Sequence, residues 1–195
     1  MKIIWITQRV DICEAYGERR DALSQEWNSF LSRCGFLLIP VPNEPELVRT
    51  MTSELPCNGI LLSGGNDLYT YGGQAPERDK TEYYLIQYAI DHSLPLLGVC
   101  RGMQILLDYF KVKLIEVDGH IRTTHMLTNG RTANSFHRLG AKNCPGFQVA
   151  ARSLDGVAEE VINESHRNLH GIMWHPERYH EYRDEDIEFV RSVFK

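Results

Sequence analysis

Short apolar runs alternate with longer amphipathic stretches through the first half of the chain. The short runs have the length of buried strands, whereas the longer stretches place apolar residues three and four positions apart, as an amphipathic helix does. The strands predicted here cover residues 2–6, 36–39, 59–62 and 94–97, and the helices cover residues 23–34, 46–51, 81–92 and 103–110. This alternation predicts a doubly wound, mostly parallel sheet with helices on both faces.

The pattern changes after Tyr109. Short predicted strands follow one another with little helix between them, and a helix ends the chain: strands at 112–117, 132–137, 147–152, 157–163 and 169–173, and the helix at 184–194. The polar segments 7–17 and 69–79 are predicted to be loops. No linker, repeat or low-complexity segment divides the chain, so we expect an α/β fold with one domain over residues 1–195.

Composition and charge exclude several classes of function. The net charge of -5 argues against a general nucleic-acid-binding protein. No apolar stretch reaches the length of a membrane span, and the first residues form a strand pattern instead of a secretory signal. The five cysteines form no CxxC pair, so neither a disulfide framework nor a zinc ribbon is indicated. We therefore expect a cytoplasmic protein with no nucleic-acid or membrane partner, no metal and no cofactor; its oligomeric state is left open.

A thiol follows one of the predicted strands. The segment Gly98-Val99-Cys100-Arg101-Gly102 lies between that strand and a helix that starts near Met103. Small residues two before and two after Cys100 permit a sharp strand–turn–helix bend, which is the arrangement of a nucleophile elbow. The helix dipole would favour the Cys100 thiolate, and the Arg101 N–H could bind a developing oxyanion. A buried structural cysteine is the alternative, but the strand–turn–helix context favours a nucleophile.

A histidine and a carboxylate follow another predicted strand. His175 ends an apolar run, Pro176 keeps His175 extended, and residues two apart in an extended chain share a face. Glu177 could therefore fix the imidazole tautomer, and His175 could serve as the base for Cys100. Most histidines are surface or satisfied core residues, but the strand end and the paired carboxylate favour a functional role here.

A glycine pair and a carboxylate-free segment are further candidates for substrate contacts. Gly64 and Gly65 follow a strand, where the sites of open α/β sheets lie, and could complete an oxyanion hole with Arg101; a simple turn is an equal alternative. Residues 119–142 contain no Asp or Glu but include four cationic side chains and three histidines: Arg122, Arg131, Arg138, Lys142, His120, His125 and His137. This segment could attract an anionic substrate, unless its cations pair with carboxylates elsewhere.

Together these residues resemble the class I glutamine amidotransferase family. The resemblance rests on the segment from Gly98 to Gln104 and on His175-Pro176-Glu177, in the order Cys, His, Glu, and it covers nearly the whole chain. Ser63-Gly64-Gly65-Asn66-Asp67 and Asn134-Ser135-Phe136-His137 are more similar to the γ-glutamyl hydrolase branch, the peptidase C26 group. The fold implied by this resemblance is a flavodoxin-like doubly wound sheet.

The resemblance also implies roles for single residues. Cys100 would attack the γ-carbonyl of a small-molecule γ-glutamyl substrate and form a thioester, with His175 and Glu177 as its base and orienter. Four further residues are implied to hold the glutamyl part, with the Ser-Phe segment binding through its backbone: Gln104, Ser135, Phe136 and His137.

The expected activity is hydrolysis of a γ-glutamyl amide to glutamate and an amine. Residues 16–23 are similar to the start of short relatives in bacterial capsule or surface-sugar clusters, which suggests a nucleotide-bearing amine. One alternative is a glutaminase subunit that delivers ammonia to a synthetase partner. Another is a non-catalytic binding module, against which the intact Cys100, His175 and Glu177 argue. The chain is shorter than a typical γ-glutamyl-γ-aminobutyrate hydrolase, and Arg138-Leu139 follows His137, so the leaving amine stays open.

Overall fold

The computed structural model describes residues 1–195. Its thirteen strands are β1 Lys2–Thr7, β2 Arg9–Cys13, β3 Glu18–Ala22, β4 Phe36–Val41, β5 Gly59–Leu62, β6 Leu96–Val99, β7 Ile115–Glu116, β8 Ile121–Met126, β9 Thr132–Phe136, β10 Leu139–Gly140, β11 Phe147–Arg152, β12 Ala158–Asn163 and β13 Leu169–Ile172. Its five α-helices are α1 Glu26–Arg33, α2 Pro45–Glu54, α3 Pro76–Asp91, α4 Arg101–Tyr109 and α5 Asp184–Val193.

A seven-stranded sheet forms the centre of the fold, in the order β11-β12-β13-β6-β5-β1-β4. The strands from β13 to β4 are parallel, whereas β11 and β12 add antiparallel pairs at one edge. In the register, Leu62 of β5 lies beside Gly98 of β6, and Ile172 of β13 lies beside Val99. The segments that follow these three neighbouring strands therefore meet at one edge of the sheet, where sites of open α/β folds form.

Helices cover both faces of the sheet, which confirms the doubly wound α/β fold. α2, α3 and α4 pack on one face in a core that contains Trp5 and Leu62, and α1 and α5 pack on the other face with Ile4 and Leu61. Neighbouring residues of β1 and β5 thus alternate between the two cores, as the pleat of a strand requires. Because the parallel strands are buried on both faces, they form continuous apolar runs in the sequence.

The connection after β1 differs from the predicted loop and helix. β2 and β3 form an antiparallel hairpin, and Gly17 in its turn has a φ of 71°. β3 is polar and almost wholly exposed, so it has no apolar alternation by which a strand could be predicted. As a result α1 begins at Glu26 and not near Leu23.

Other element boundaries also differ from the prediction. α3 begins at Pro76 inside the predicted loop, because proline and acidic residues suit the first helical turn. β4 continues through Pro40, which is tolerated because β4 is an edge strand. The strand predicted at 112–117 is reduced to Ile115–Glu116, and the unpredicted strand β8 pairs with β9 in a separate hairpin.

Candidate active site

Cys100 lies at the turn between β6 and α4. Its backbone has φ 53° and ψ -105°, outside the regions that L-residues normally populate, and the residue is the N-cap of α4. Strain of this kind is maintained by the surrounding packing and is concentrated at functional sites. The thiol thus lies at the positive end of the α4 dipole, in the geometry that the sequence predicts for a nucleophile elbow.

Two glycines permit this turn. A Cβ atom on Gly98 would lie 2.3 Å from the Gly102 carbonyl oxygen, and a Cβ atom on Gly102 would lie 2.0 Å from the Leu62 carbonyl oxygen. Any larger residue at either position would push α4 away from the sheet. The small residues on either side of Cys100 are therefore required by the close approach of the helix to β5 and β6.

His175 and Glu177 form a chain of contacts with Cys100. Nδ1 of His175 lies 2.7 Å from Oε1 of Glu177, and His175 is close enough to the Cys100 thiol for each group to shift the pKa of the other. All three side chains are buried. The pairing of His175 with Glu177 agrees with the prediction, but its geometry does not: Glu177 lies in the 3₁₀ turn Pro176–Arg178 instead of an extended chain.

These contacts favour an ion pair of thiolate and imidazolium. Burial opposes ionisation of Cys100, but the charge of His175 and the hydrogen bond from it lower the pKa of the thiol below its ordinary value. Burial also opposes the charging of His175, but Glu177 and Cys100 raise the pKa of His175 to about 9. The arrangement can therefore supply a nucleophile and a proton donor together.

Strand β9 fixes the backbone of His175. The Asn134 side chain accepts a hydrogen bond from the His175 N–H at 2.7 Å and donates one to the His175 carbonyl oxygen at 2.9 Å. The rings of Phe136 and His175 lie edge to face with centroids 5.6 Å apart, and the Arg178 guanidinium lies 4.6 Å from the Phe136 centroid. The sequence gives Asn134 no role of its own, because only the folded chain brings β9 beside His175.

Three backbone N–H groups near Cys100, those of Gly64, Gly65 and Arg101, donate to no backbone carbonyl. Arg101 is the first residue of α4, so its N–H has no partner within the helix. A Cβ atom on Gly64 would lie 2.7 Å from Cε1 of His175 and 3.7 Å from Cβ of Cys100, so the Gly64 backbone lies directly against both residues. This geometry fits the predicted oxyanion hole.

A buried arginine binds the carbonyl oxygens of the turn that contains Gly64 and Gly65. Arg78 of α3 donates hydrogen bonds to the carbonyl oxygens of Ser63, Gly64 and Gly65, at 2.7, 3.1 and 2.5 Å. In a trans peptide the N–H points opposite to the C=O of the same unit. Because these carbonyls face Arg78, the N–H groups of Gly64 and Gly65 are directed away from it.

Arg78 belongs to a cluster of four buried charged side chains. Its Nε lies 3.0 Å from Oε1 of Glu82, and the Arg101 guanidinium pairs with both Glu82 and Asp79. We call Arg78, Asp79, Glu82 and Arg101 the arginine–carboxylate cluster. This cluster was not predicted from the sequence because the predicted helix began at residue 81 and left out Arg78. Had the helix been extended to Arg78, the four-residue spacing of Arg78 and Glu82, on the face that also bears Leu85, would have indicated a buried ion pair.

Two clefts meet at the thiol and the imidazole. The Cys100 cleft has a volume of about 340 Å³ and is lined by Gly65, Asn66, Asp67, Cys100, Arg101, Gln104, Ile121, Phe136, His137 and Arg138. The smaller His175 cleft is lined by Arg9, Ala22, Leu23, Ser24, Trp27, Ser63, Gly64, Gly65, His175, Glu177 and Arg178. All predicted site residues except Ser135 line one of these clefts.

Ser135 is the exception because its side chain is engaged elsewhere. It is fully buried, and its hydroxyl donates to the His120 carbonyl oxygen at 2.7 Å. Only its backbone could serve a substrate. Gln104 does face the Cys100 cleft; its amide nitrogen donates to the Leu139 carbonyl oxygen at 2.9 Å, which leaves the amide oxygen free to accept a hydrogen bond.

The carboxylate-free segment 119–142 does not form a continuous cationic surface. Arg131 pairs with the buried Asp186 at 2.7 Å, and Arg138 pairs with Asp67 at 3.0 Å. These two arginines therefore pair with carboxylates from other parts of the chain, which was the alternative to an anion-attracting surface. Of the cationic side chains of this segment, Arg138 alone lines the Cys100 cleft.

Comparison with known proteins identifies the family. Residues 21–193 match the family model for glutamine amidotransferase class-I, and the chain belongs to the class I glutamine amidotransferase family. It is 29% identical to the γ-glutamyl-CDP-amidate hydrolase of Campylobacter jejuni over 180 residues, which cover 90% of this chain and 90% of the relative. It is 26% identical to the γ-glutamyl-γ-aminobutyrate hydrolase of Escherichia coli O157:H7 over 206 residues, which cover 83% of this chain and 80% of the relative.

A solved structure supports the fold. The crystal structure of a glutamine amidotransferase from Thermotoga maritima matches 90% of this chain and 76% of its own, with a TM-score of 0.62 and 14% sequence identity. None of the helices of this chain has the length and apolar character needed to cross a membrane.

Proposed function

We propose that the chain hydrolyses γ-glutamyl amides through a thioester on Cys100. The observation that carries the proposal is the thiol of a strained N-cap residue beside the buried His175–Glu177 pair. Two relatives named as γ-glutamyl hydrolases support the substrate class.

In the first half of the reaction, the Cys100 thiolate attacks the γ-carbonyl carbon. The N–H groups of Arg101, Gly64 and Gly65 accommodate the negative charge that develops on the carbonyl oxygen. The His175 imidazolium gives its proton to the amine nitrogen, the C–N bond breaks, and the amine leaves.

In the second half, water hydrolyses the thioester. Neutral His175 takes a proton from the water as it attacks the thioester carbon, and the Cys100 thiolate departs from the tetrahedral intermediate. Glutamate is released and the thiolate–imidazolium pair is restored. Throughout, Glu177 holds the proton of His175 on Nδ1 and stabilises the charged ring.

We further propose that the leaving amine carries a nucleotide diphosphate, as γ-glutamyl-CDP-amidate does. The similarity to the Campylobacter jejuni enzyme supports this substrate. Three half-exposed arginines around the two clefts also support it: Arg9, Arg138 and Arg178, with side chains 51%, 44% and 35% exposed. Guanidinium groups that retain solvent access can bind phosphate at low desolvation cost.

Glutamate release from a panel of amides tests both the proposed hydrolysis of γ-glutamyl amides and the proposed nucleotide-bearing amine. The panel contains glutamine, γ-glutamyl-γ-aminobutyrate and γ-glutamyl-CDP-amidate. We expect hydrolysis of the panel to depend on Cys100 and kcat/KM to be highest for the nucleotide-bearing amide. If no γ-glutamyl amide is cleaved, the hydrolase proposal is wrong. Release from glutamine alone, stimulated by a synthetase, would instead identify the glutaminase subunit.

The covalent intermediate is tested separately by mass spectrometry of rapidly quenched reactions. A γ-glutamyl adduct should appear on Cys100 and be absent from the Cys100→Ala variant. Cys57→Ala is the matched control, because Cys57 is also a free thiol but lines neither cleft. An adduct that persists in Cys100→Ala would remove Cys100 as the nucleophile.

A further inference from the structure

Two histidines and a glutamate from three parts of the chain converge beside the Cys100 cleft. Nδ1 of His120 lies 3.2 Å from Nε2 of His137, and each of these nitrogens lies 3.4 Å from Oε1 of Glu159. All three residues are buried, with exposures of 2%, 3% and 0%. We call them the histidine–glutamate cluster.

We call the two nitrogens that face each other, Nδ1 of His120 and Nε2 of His137, the inner nitrogens, and the other nitrogen of each ring the outer one. Each outer nitrogen already has a hydrogen-bond acceptor. Nδ1 of His137 lies 3.0 Å from the Leu139 carbonyl oxygen, which can only accept, so Nδ1 carries the proton. Nε2 of His120 lies 3.2 Å from Oδ2 of Asp155, so Nε2 donates to that carboxylate. In the neutral rings, the two inner nitrogens therefore direct lone pairs toward each other and toward Glu159. Such a convergence of lone pairs calls for a positive charge, which either a proton on one of the rings or a bound metal ion can supply.

Buried polar atoms of Glu159 and His125 that lack hydrogen-bond partners also indicate a site for a positive charge. Glu159 is fully buried; the two inner imidazole nitrogens lie 3.4 Å from its Oε1, and neither carboxylate oxygen has a hydrogen-bond partner of normal geometry. Nε2 of His125, on β8, is also buried without a partner. His120, His125 and Glu159 each offer a ligand atom within 4.8 Å of the other two. A buried carboxylate without hydrogen bonds is strongly unfavourable unless a positive charge compensates it.

We propose that the histidine–glutamate cluster binds a divalent transition metal of the zinc class, with His125 as its fourth ligand. The three separations among Nδ1 of His120, Nε2 of His137 and Oε1 of Glu159, 3.2 to 3.4 Å, match three edges, each about 3.3 Å, of a tetrahedron whose metal–ligand bonds are about 2.0–2.1 Å; His125 would supply the fourth corner. Imidazole nitrogen and carboxylate oxygen are donors that zinc accepts. The hydrogen bonds from the outer nitrogens to Leu139 and Asp155 are of the kind that orients metal-binding histidines.

The fold gives the metal an entry path and a structural role. A surface cleft of about 320 Å³, lined in part by Asp118, His120, His125 and Asp155, opens at the site. The bound ion would tie strand β8 to Glu159 on β12. It would also fix His137, which lines the Cys100 cleft. The chemistry on Cys100 proceeds without the ion, so the two proposals can fail independently.

The sequence predicts no metal site because the proposed ligands are not close together in the chain. His120, His137 and Glu159 are far apart in the chain and match no short metal-binding spacing. Sequence reasoning treated the histidines as part of a charged surface, whereas the structure buries two of them against a strand that carries a carboxylate.

The test uses the full chain, without a polyhistidine tag, stripped of metal with a chelator. Titration with Co²⁺ should give the visible absorption of tetrahedral cobalt and saturate at one ion per chain. Zn²⁺ should displace the Co²⁺ and raise the thermal midpoint, because a ligand that binds only the folded chain stabilises it. Elemental analysis after gel filtration should find one zinc per chain.

Variants separate this site from adventitious binding. His125→Ala and Glu159→Gln should each weaken Co²⁺ binding at least tenfold, whereas His180→Ala, at an exposed histidine, should bind as the parent does. If Glu159→Gln does not fold, His125→Ala carries the comparison, because His125 is only half-buried. The proposal is wrong if the parent chain binds no stoichiometric metal, which would leave a shared proton as the cation. It is equally wrong if all variants bind metal alike.

Discussion

Two buried charged clusters adjoin Cys100, and they differ in how their charges are balanced. In the arginine–carboxylate cluster, two guanidinium groups face the carboxylates of Asp79 and Glu82. In the histidine–glutamate cluster, the single carboxylate of Glu159 faces imidazoles that are neutral unless protonated. A cluster whose charges balance internally can act as a rigid support, whereas a buried carboxylate among imidazoles needs a positive charge from a proton or a metal ion.

The balanced cluster also has a visible task in the structure. Arg78 uses its remaining donors on the carbonyls of the Ser63–Gly65 turn and thereby orients the N–H groups that adjoin the thiol. The histidine–glutamate cluster makes no comparable contact with the turn, and reaches the Cys100 cleft only through His137. Both clusters thus support the site, and neither supplies the reacting atoms.

The largest expected effect is a loss of activity on substitution of His175 or Glu177, which belong to neither cluster. His175→Asn removes the group that exchanges protons with the amine and with water, and should lower kcat by about 10²–10⁴-fold. Glu177→Gln should lower it less, because the ring keeps its hydrogen bond but loses the stabilising charge. Steady-state glutamate release measures both variants. If Glu177→Gln were as damaging as His175→Asn, Glu177 would need a direct role in proton transfer.

The second prediction sharpens the contrast between the clusters. Glu82→Gln leaves Arg78 and Arg101 as buried charges without their shared partner and should lower the free energy of unfolding by about 3–5 kcal/mol. In metal-free protein at pH 8, Glu159→Gln should lower it less, because the nearest partners of this carboxylate are imidazole nitrogens at 3.4 Å and not guanidinium groups. Urea denaturation in the presence of a chelator measures both.

Glu116→Gln is the matched control for these two substitutions, since the Glu116 side chain is 83% exposed. It should leave the free energy of unfolding nearly unchanged. Equal losses for Glu82→Gln and Glu159→Gln in metal-free protein would contradict the difference in charge balance and, with it, the need for a cation at Glu159.

The elements that the sequence predicted well are those whose own residues carry the signal. β5, β6 and α4 have apolar runs of the right length and period, and the glycines around Cys100 mark a turn that no larger residue could adopt. His175 and Glu177 could be paired because they are two residues apart, although a 3₁₀ turn and not an extended chain brings them together. In each case a local pattern is enough to predict the contact.

The features that were missed depend on contacts between distant segments. Asn134 meets His175 only after β9 has packed beside it, and His120 meets Glu159 only when the β8–β9 hairpin docks near β12. β3 could not be predicted because an exposed hairpin needs no apolar alternation. Charge counting along residues 119–142 was misleading for a related reason: the carboxylates that neutralise Arg131 and Arg138 come from other parts of the chain.

The third prediction concerns pH and the pairing of Cys100 with His175. The reactive form needs a deprotonated thiol and a protonated imidazole, so kcat/KM should rise as pH increases through the lowered pKa of the pair and fall near pH 9. Because the Glu177 carboxylate helps to raise the pKa of His175, Glu177→Gln should move the alkaline limb to lower pH by about 1 unit or more. An unmoved alkaline limb would assign it to another group.

The smallest expected effect separates two arginines of segment 119–142. Arg138 lines the Cys100 cleft and is 44% exposed, whereas Arg131 is 20% exposed, pairs with Asp186 and lies over the Trp174 ring. Arg138→Ala should therefore raise KM for γ-glutamyl-CDP-amidate about two- to fivefold, as expected for one solvent-screened ion pair, and added salt should reduce the difference. Arg131→Ala should leave KM unchanged and lower stability instead.

The KM for an uncharged γ-glutamyl amide provides the internal reference. If Arg138→Ala raised both KM values equally, Arg138 would contact the glutamyl half that the substrates share, and recognition of the phosphates would have to rest on Arg9 and Arg178 in the His175 cleft.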